Sequence, residues 1–68
     1  MRALNRNGSL VKIKIDDIVY IKTPGTNEKR GVKVIGIIED QIVVVTVGSD
    51  GKYYEPLIVL EDEIILVV

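Results

Sequence analysis

The chain contains no cysteine, no histidine, no tryptophan and no phenylalanine, and a single alanine among its 68 residues. Without cysteine no disulfide can staple the fold, and the composition fits a reducing, cytoplasmic location. With Cys and His both missing, the usual ligands of a structural zinc site are missing too, and neither a metal nor a cofactor is expected. The same absences remove the usual thiol nucleophile and the usual general base, so we expect no enzymatic activity. No apolar run reaches about 18 residues, and the polar start Met1-Arg2-Ala3-Leu4-Asn5-Arg6 lacks the apolar centre of a secretory leader. No membrane association is expected.

What is present is β-branched. The chain carries 11 Ile and 11 Val within a hydrophobic share of 47%, together with six Gly. Side chains branched at Cβ are stiff at χ1 and pack well on a pleated surface, which favours strands over helices. The length allows one domain. Ordering so short a chain costs about 1.5 kcal/mol per residue, so its core must be well packed or completed by oligomerisation. The fold class expected is all-β.

The net charge of −1 argues against a globally cationic nucleic-acid binder, but the charges are unevenly spread. Residues 1–34 hold eight Lys or Arg against three Asp or Glu, a surplus of five positive charges. Residues 35–68 hold one Lys against seven acids, a surplus of six negative charges. Such asymmetry suggests an interaction surface, unless interleaved strands mix the two halves in space.

Residues 1–9 read as an N-terminal arm or edge strand, and residues 10–68 as the barrel domain. Asn7-Gly8-Ser9 reads as a turn. Val11-Lys12-Ile13-Lys14-Ile15 alternates apolar and basic, the pattern of a strand with one dry and one wet face. Asp16-Asp17 breaks it, and Ile18-Val19-Tyr20-Ile21-Lys22 is a second short strand or the first continued after a kink. Thr23-Pro24-Gly25-Thr26 is a β-turn signal that opens a polar loop through Gly31. Residues 32–38 form a strand in which Gly36 marks a bulge or bend. A tight Glu39-Asp40 connection leads to residues 41–47, apolar on both faces, as in a central strand or one that meets a partner. Gly48-Ser49-Asp50-Gly51 is a hairpin loop. Lys52-Tyr53-Tyr54-Glu55 is a short strand closed by Pro56. Residues 57–60 are a 3₁₀ turn or a strand extension, Glu61-Asp62-Glu63 is exposed, and residues 64–68 are the last strand.

This order of elements resembles the SH3-like barrels of the KOW and Tudor type. The resemblance rests on Asp17-Ile18-Val19, the Pro-Gly loop, Gly31-Val32-Lys33-Val34-Ile35, Ile42-Val43-Val44-Val45, and the turn from Tyr54-Glu55-Pro56-Leu57 to Leu60-Glu61. It covers about residues 16–68 and implies a small five-stranded SH3-like barrel, although small barrels host many unrelated activities. KOW domains carry more basic residues around the first loop than Lys29 and Arg30. Three Tyr without Phe or Trp do not make a Tudor-type methyl-lysine cage. A second resemblance is to the carbon storage regulator family, through Met1, Leu4, Arg6, Asp16-Asp17-Ile18, Lys33-Val34-Ile35-Gly36-Ile37, Gln41-Ile42-Val43-Val44 and Glu61-Asp62-Glu63-Ile64. That resemblance implies an RNA-binding, domain-swapped dimer. Three departures stand against it: the insertion from Tyr20 to Gly31, Leu60 where the family has a basic residue, and a strand-like tail where the family has a helix.

Three groups of acids, Asp16-Asp17, Glu39-Asp40 and Glu61-Asp62-Glu63, fall where the pattern requires turns, and no EF-hand or phosphate-loop spacing is present. Two functional expectations remain. The first is a non-enzymatic, KOW-like module that binds RNA or DNA through a basic strand face and the 23–31 loop. Its candidate residues are Arg2, Arg6, Lys12, Lys14, Lys22, Lys29 and Arg30 for phosphates, with Tyr20 or Tyr53 to stack a base. The ordinary alternative for these cations is a solvated face in which Lys guards a strand edge. The second expectation is a protein-interaction or assembly module, of a kind that phages or mobile elements encode, self-associating through Val- and Ile-rich strand edges.

Overall fold

The computed structural model describes every residue except Thr23, Pro24, Val47, Ser49, Tyr53 and Tyr54. Its elements run β1 (Arg2–Leu4), β2 (Leu10–Lys12), β3 (Ile18–Lys22), β4 (Lys29–Ile38), β5 (Gln41–Thr46), β6 (Leu57–Leu60), a 3₁₀ turn (Glu61–Glu63) and β7 (Ile64–Val67). Strands β3 to β7 form one antiparallel sheet in the order β6-β5-β4-β3-β7. It is a four-strand meander whose fifth strand returns through the 3₁₀ turn to pair with the first. The sheet curls into a half-barrel, an arrangement compatible with an SH3-like barrel. The all-β expectation is met.

Alternation along these strands builds the core. Val19 and Ile21 of β3, Val32 and Val34 of β4, Ile42 and Val44 of β5, Val59 of β6, and Ile64 and Val67 of β7 all point to the concave side and are buried. Cross-strand register aligns them: Val19 faces Val32 and Val67, Val34 faces Val44, and Ile42 faces Val59. Strands β1 and β2 form a separate antiparallel hairpin, with Ala3 opposite Val11. The lone alanine and Ile13 join the same buried cluster, and Met1 and Val11 pack against it. The first residues are therefore built into the core of the domain. Around residues 5–9 the Asn5 side-chain oxygen accepts the N–H groups of Asn7 and Ser9 at 2.9 and 3.0 Å, and Gly8 adopts φ +78°, making the expected turn.

The alternating run 11–15 is not one continuous strand. Strand β2 ends at Lys12, and Ile15 is 57% exposed although Ile13, two residues earlier, is 1% exposed. The Asp17 side chain explains the break. Its carboxylate accepts the Lys14 N–H at 2.8 Å, and its own N–H donates to the Lys14 carbonyl at 3.2 Å. A side chain that captures a nearby backbone donor competes with the ladder and turns the chain. Asp16 takes φ +76° within that turn, and its N–H donates to the Val34 carbonyl at 2.8 Å. The turn is thereby tied to the middle of β4.

Strand β4 carries the bulge foreseen at Gly36. Its register with β5 shifts between Val34 and Gly36, leaving Ile35 as the extra residue, 42% exposed. Strand β5 lies between β4 and β6, an interior position in the sheet; Ile42 and Val44 face the core, and Val45 on the other face is also buried. Residues 57–60 form a strand, resolving the alternative in favour of extension, and β7 is a strand paired with β3. The strand expected at residues 52–55 lies largely outside the described residues. So does half of the 23–26 turn, although Gly25 has the expected positive φ of +77°. In the 48–51 loop, Gly51 has φ +79° and donates to the Gly48 carbonyl at 3.0 Å.

The Glu39-Asp40 connection joins β4 to β5 directly after the pair Ile38–Gln41, with Glu39 at φ +55°. A non-glycine residue pays a steric penalty there, because Cβ crowds the backbone, and two-residue hairpin loops favour glycine for this reason. Glu39→Gly is expected to stabilise the domain by about 0.5–1 kcal/mol. That gain would raise the melting temperature by roughly 2–8 °C. An unchanged or lower melting temperature would show that the turn carries no such strain.

Candidate nucleic-acid interface

The register of β3 and β4 brings Tyr20, Lys22 and Lys29 onto one face of the sheet. Val19 and Ile21 point inward, so Ile18, Tyr20 and Lys22 point outward. Lys22 lies directly opposite Lys29, and Tyr20 directly opposite Gly31. A Cβ on Gly31 would lie 3.4 Å from the Tyr20 ring, so the missing side chain leaves the ring room to lean across β4. The result is a half-buried aromatic ring beside two exposed ammonium groups, at the end of the sheet where residues 23–28 connect the strands. Lys33 shares this outer face opposite Ile18 and is half-buried, with its ammonium 3.4 Å from the Asp16 carboxylate. Arg30 is exposed but stands opposite buried Ile21, so its side chain leaves the strand on the other side of the sheet rim.

The remaining candidate cations divide between two places. Arg6, Lys12 and Lys14 line a groove of about 470 Å³ beside Val11, Val67 and Val68, together with Asp17. Arg2 pairs with Lys12 across the hairpin, yet it lines a different groove, of about 490 Å³, whose rim carries Asp40, Glu61 and Asp62. Nine candidate residues were named from the sequence, and they do not form one surface. Tyr20, Lys22 and Lys29 come together, Arg6, Lys12 and Lys14 come together, and Arg2 sits among acids. Tyr53 lies outside the described residues.

Of the acids, Asp17 and Glu63 close turns. The Glu63 carboxylate accepts the Leu60 N–H at 2.9 Å and so shapes the 3₁₀ turn between β6 and β7. No group of three or more His, Cys, Asp or Glu side chains placed to hold a metal occurs among the described residues. Among the described residues, no helix is long and apolar enough to cross a membrane.

Two features of these surfaces had no local signal. Gly31 matters because of the residue opposite it, and strand register cannot be read from either strand alone. The groove around Arg2 is floored by Leu4, Leu10, Leu60, Ile64 and Ile65, drawn from the first two and the last two strands, at opposite ends of the chain.

No protein family, characterised protein or solved structure matches this chain. Its chemistry is legible through its own residues.

Proposed function

We propose that the domain is a non-enzymatic binding module for nucleic acid, engaging a single strand with the outer face of β3 and β4 at the 23–28 connection, since Lys29, Arg30 and Gly31 of the expected loop belong to β4. The observation that carries this reading is the Tyr20 ring leaning over Gly31 beside the facing pair Lys22 and Lys29. An aromatic face stacks any base, and adjacent ammonium groups neutralise the phosphates on either side of it. Lys22 and Lys29 directly opposite each other repel in the free protein, and a phosphate between them would relieve that repulsion. Arg30 leaves the same sheet end on the opposite side and is not part of this face.

The test is a titration of a fluorescent oligouridylate RNA at several salt concentrations. With about two phosphates neutralised, log K should fall against log salt with a slope of roughly −1.4. Lys22→Glu with Lys29→Glu should weaken binding by about tenfold or more. Tyr20→Ala should remove about 1–3 kcal/mol. Lys12→Glu with Lys14→Glu should leave affinity within about twofold. Absent binding, or binding indifferent to salt, rules the reading out.

A protein-interaction or assembly role is the second reading, favoured by a separate observation. Ile38, Ile58 and Leu60 stand exposed on the outer face, and β6 is an edge strand with no charged residue in its four positions. Edges of this kind are templates for association, because their backbone groups have no partner strand.

A further inference from the structure

Two grooves border the β1–β2 hairpin, opposite in charge and similar in size. The first, of about 490 Å³, presents exposed Leu4, Leu10 and Leu60, rimmed by Asp40, Glu61 and Asp62 against Arg2 alone. The second, of about 470 Å³, presents Val11, Val67 and exposed Val68, rimmed by Arg6, Lys12 and Lys14 against Asp17 alone. Asp17 is already engaged with the Lys14 N–H. Counting the charged residues that line each, the first groove is negative by two and the second positive by two, and they share no lining residue.

We infer that the acidic groove of one copy docks the basic groove of the next, so that the chain assembles head to tail. The inference rests on the assembly reading and names its partner as a second copy; it is independent of the Tyr20 face. Apolar side chains on both surfaces supply the contact, and the rims supply opposite charge around it. Complementary potentials both attract the right surface and penalise the wrong one. A symmetric pairing of either groove with its own copy would set acids against acids, or bases against bases. The favoured interface is therefore heterologous, which closes into a ring or extends into a filament. The separation of the positive and negative halves of the sequence is then the consequence of a surface built with two unlike ends.

Sedimentation at about 1 mM protein detects contacts with dissociation constants up to the millimolar range. In low salt the wild-type chain is expected to exceed its monomer mass of 7.6 kDa, and to return to it in about 1 M NaCl, where charges are screened beyond about 3 Å. Glu61→Lys with Asp62→Lys makes both grooves basic, and Lys12→Glu with Lys14→Glu makes both acidic. All four residues are exposed, so both variants should melt within a few degrees of wild type. Each variant alone is expected to be monomeric, and an equimolar mixture of the two to associate again. If the Lys12 and Lys14 variant does not fold, Arg6→Glu with Lys12→Glu serves the same purpose. A monomeric wild type overturns the inference, as does a mixture no larger than its components. Association that persists in either single variant also overturns it, while leaving another mode of assembly in place.

Discussion

Ile13→Ala is expected to cost about 2–5 kcal/mol of folding stability, whereas Ile15→Ala should stay within about 0.5 kcal/mol of wild type. The two residues belong to the same apolar-basic alternation, but Ile13 is 1% exposed and Ile15 57%. Ile13 fills the space between the hairpin and the curled sheet, and its N–H donates to the Met1 carbonyl at 2.9 Å. Truncation leaves a cavity that stiff β-branched neighbours cannot collapse to fill. Small domains have about 5–15 kcal/mol of stability, so the loss is a large fraction of the whole. A melting temperature lower by about 10 °C or more is expected for Ile13→Ala. Urea denaturation of the two variants would measure both effects. If Ile13→Ala unfolds with the wild-type midpoint, the hairpin is not part of the cooperative core, and the domain stands on the five-stranded sheet alone.

A second pair of substitutions contrasts the two faces of β6. Val59→Asp is expected to cost about 3–5 kcal/mol and to leave much of the population unfolded at neutral pH, while Ile58→Lys should fold as wild type. Val59 is 3% exposed opposite Ile42 in the core, and Ile58 is 58% exposed on the outer face. A carboxylate introduced at residue 59 would have no buried cation to pair with, since the core cluster is wholly apolar. Desolvation would raise its folded-state pKa above the unfolded value of about 3.9. The native state then binds more protons than the unfolded chain above that pH, so its stability relative to wild type falls as pH rises through this window. The deficit of Val59→Asp should accordingly shrink as the pH is lowered toward about 4 and stay constant below it. A deficit independent of pH would mean that the side chain escapes to solvent. Ile58→Lys also places a charge on the exposed edge, which discourages strand addition there. Loss of self-association in that variant, with the groove charges intact, would move the assembly contact from the grooves to the β6 edge.

Much of the architecture follows from local chemistry. The 22 Ile and Val residues settle the class, because their branching suits a pleated surface wherever it lies. Gly36 marks the bulge, since a strand interior tolerates glycine where the ladder shifts. Gly25 and Gly51 take the positive φ that their turns require. All three acidic groups fall in turns because each contains neighbouring charges that a strand face could not bury. The charge imbalance between the two halves was visible as well.

Other features were decided by contacts between segments distant in the chain. Alternation at residues 11–15 is a correct statement about composition, but the turn that follows is tied to the middle of β4 by the Asp16 N–H and the Val34 carbonyl, and Ile15 is left exposed. Arg2 and Lys12 face each other across the hairpin, yet they line grooves of opposite charge, because different neighbours meet the two sides of that hairpin. Tyr20 gains its place over β4 from the absence of a Cβ on Gly31, eleven residues away. What the sequence by itself determined is the all-β class, the turns and the supply of positive and negative charge, since each depends on residues adjacent in the chain. What only the tertiary structure decided is register, and with it the division of cations into separate surfaces. A strand's period of two states which residues share a face, but the partner strand and the curl of the sheet determine whether that face meets core, solvent or another charge.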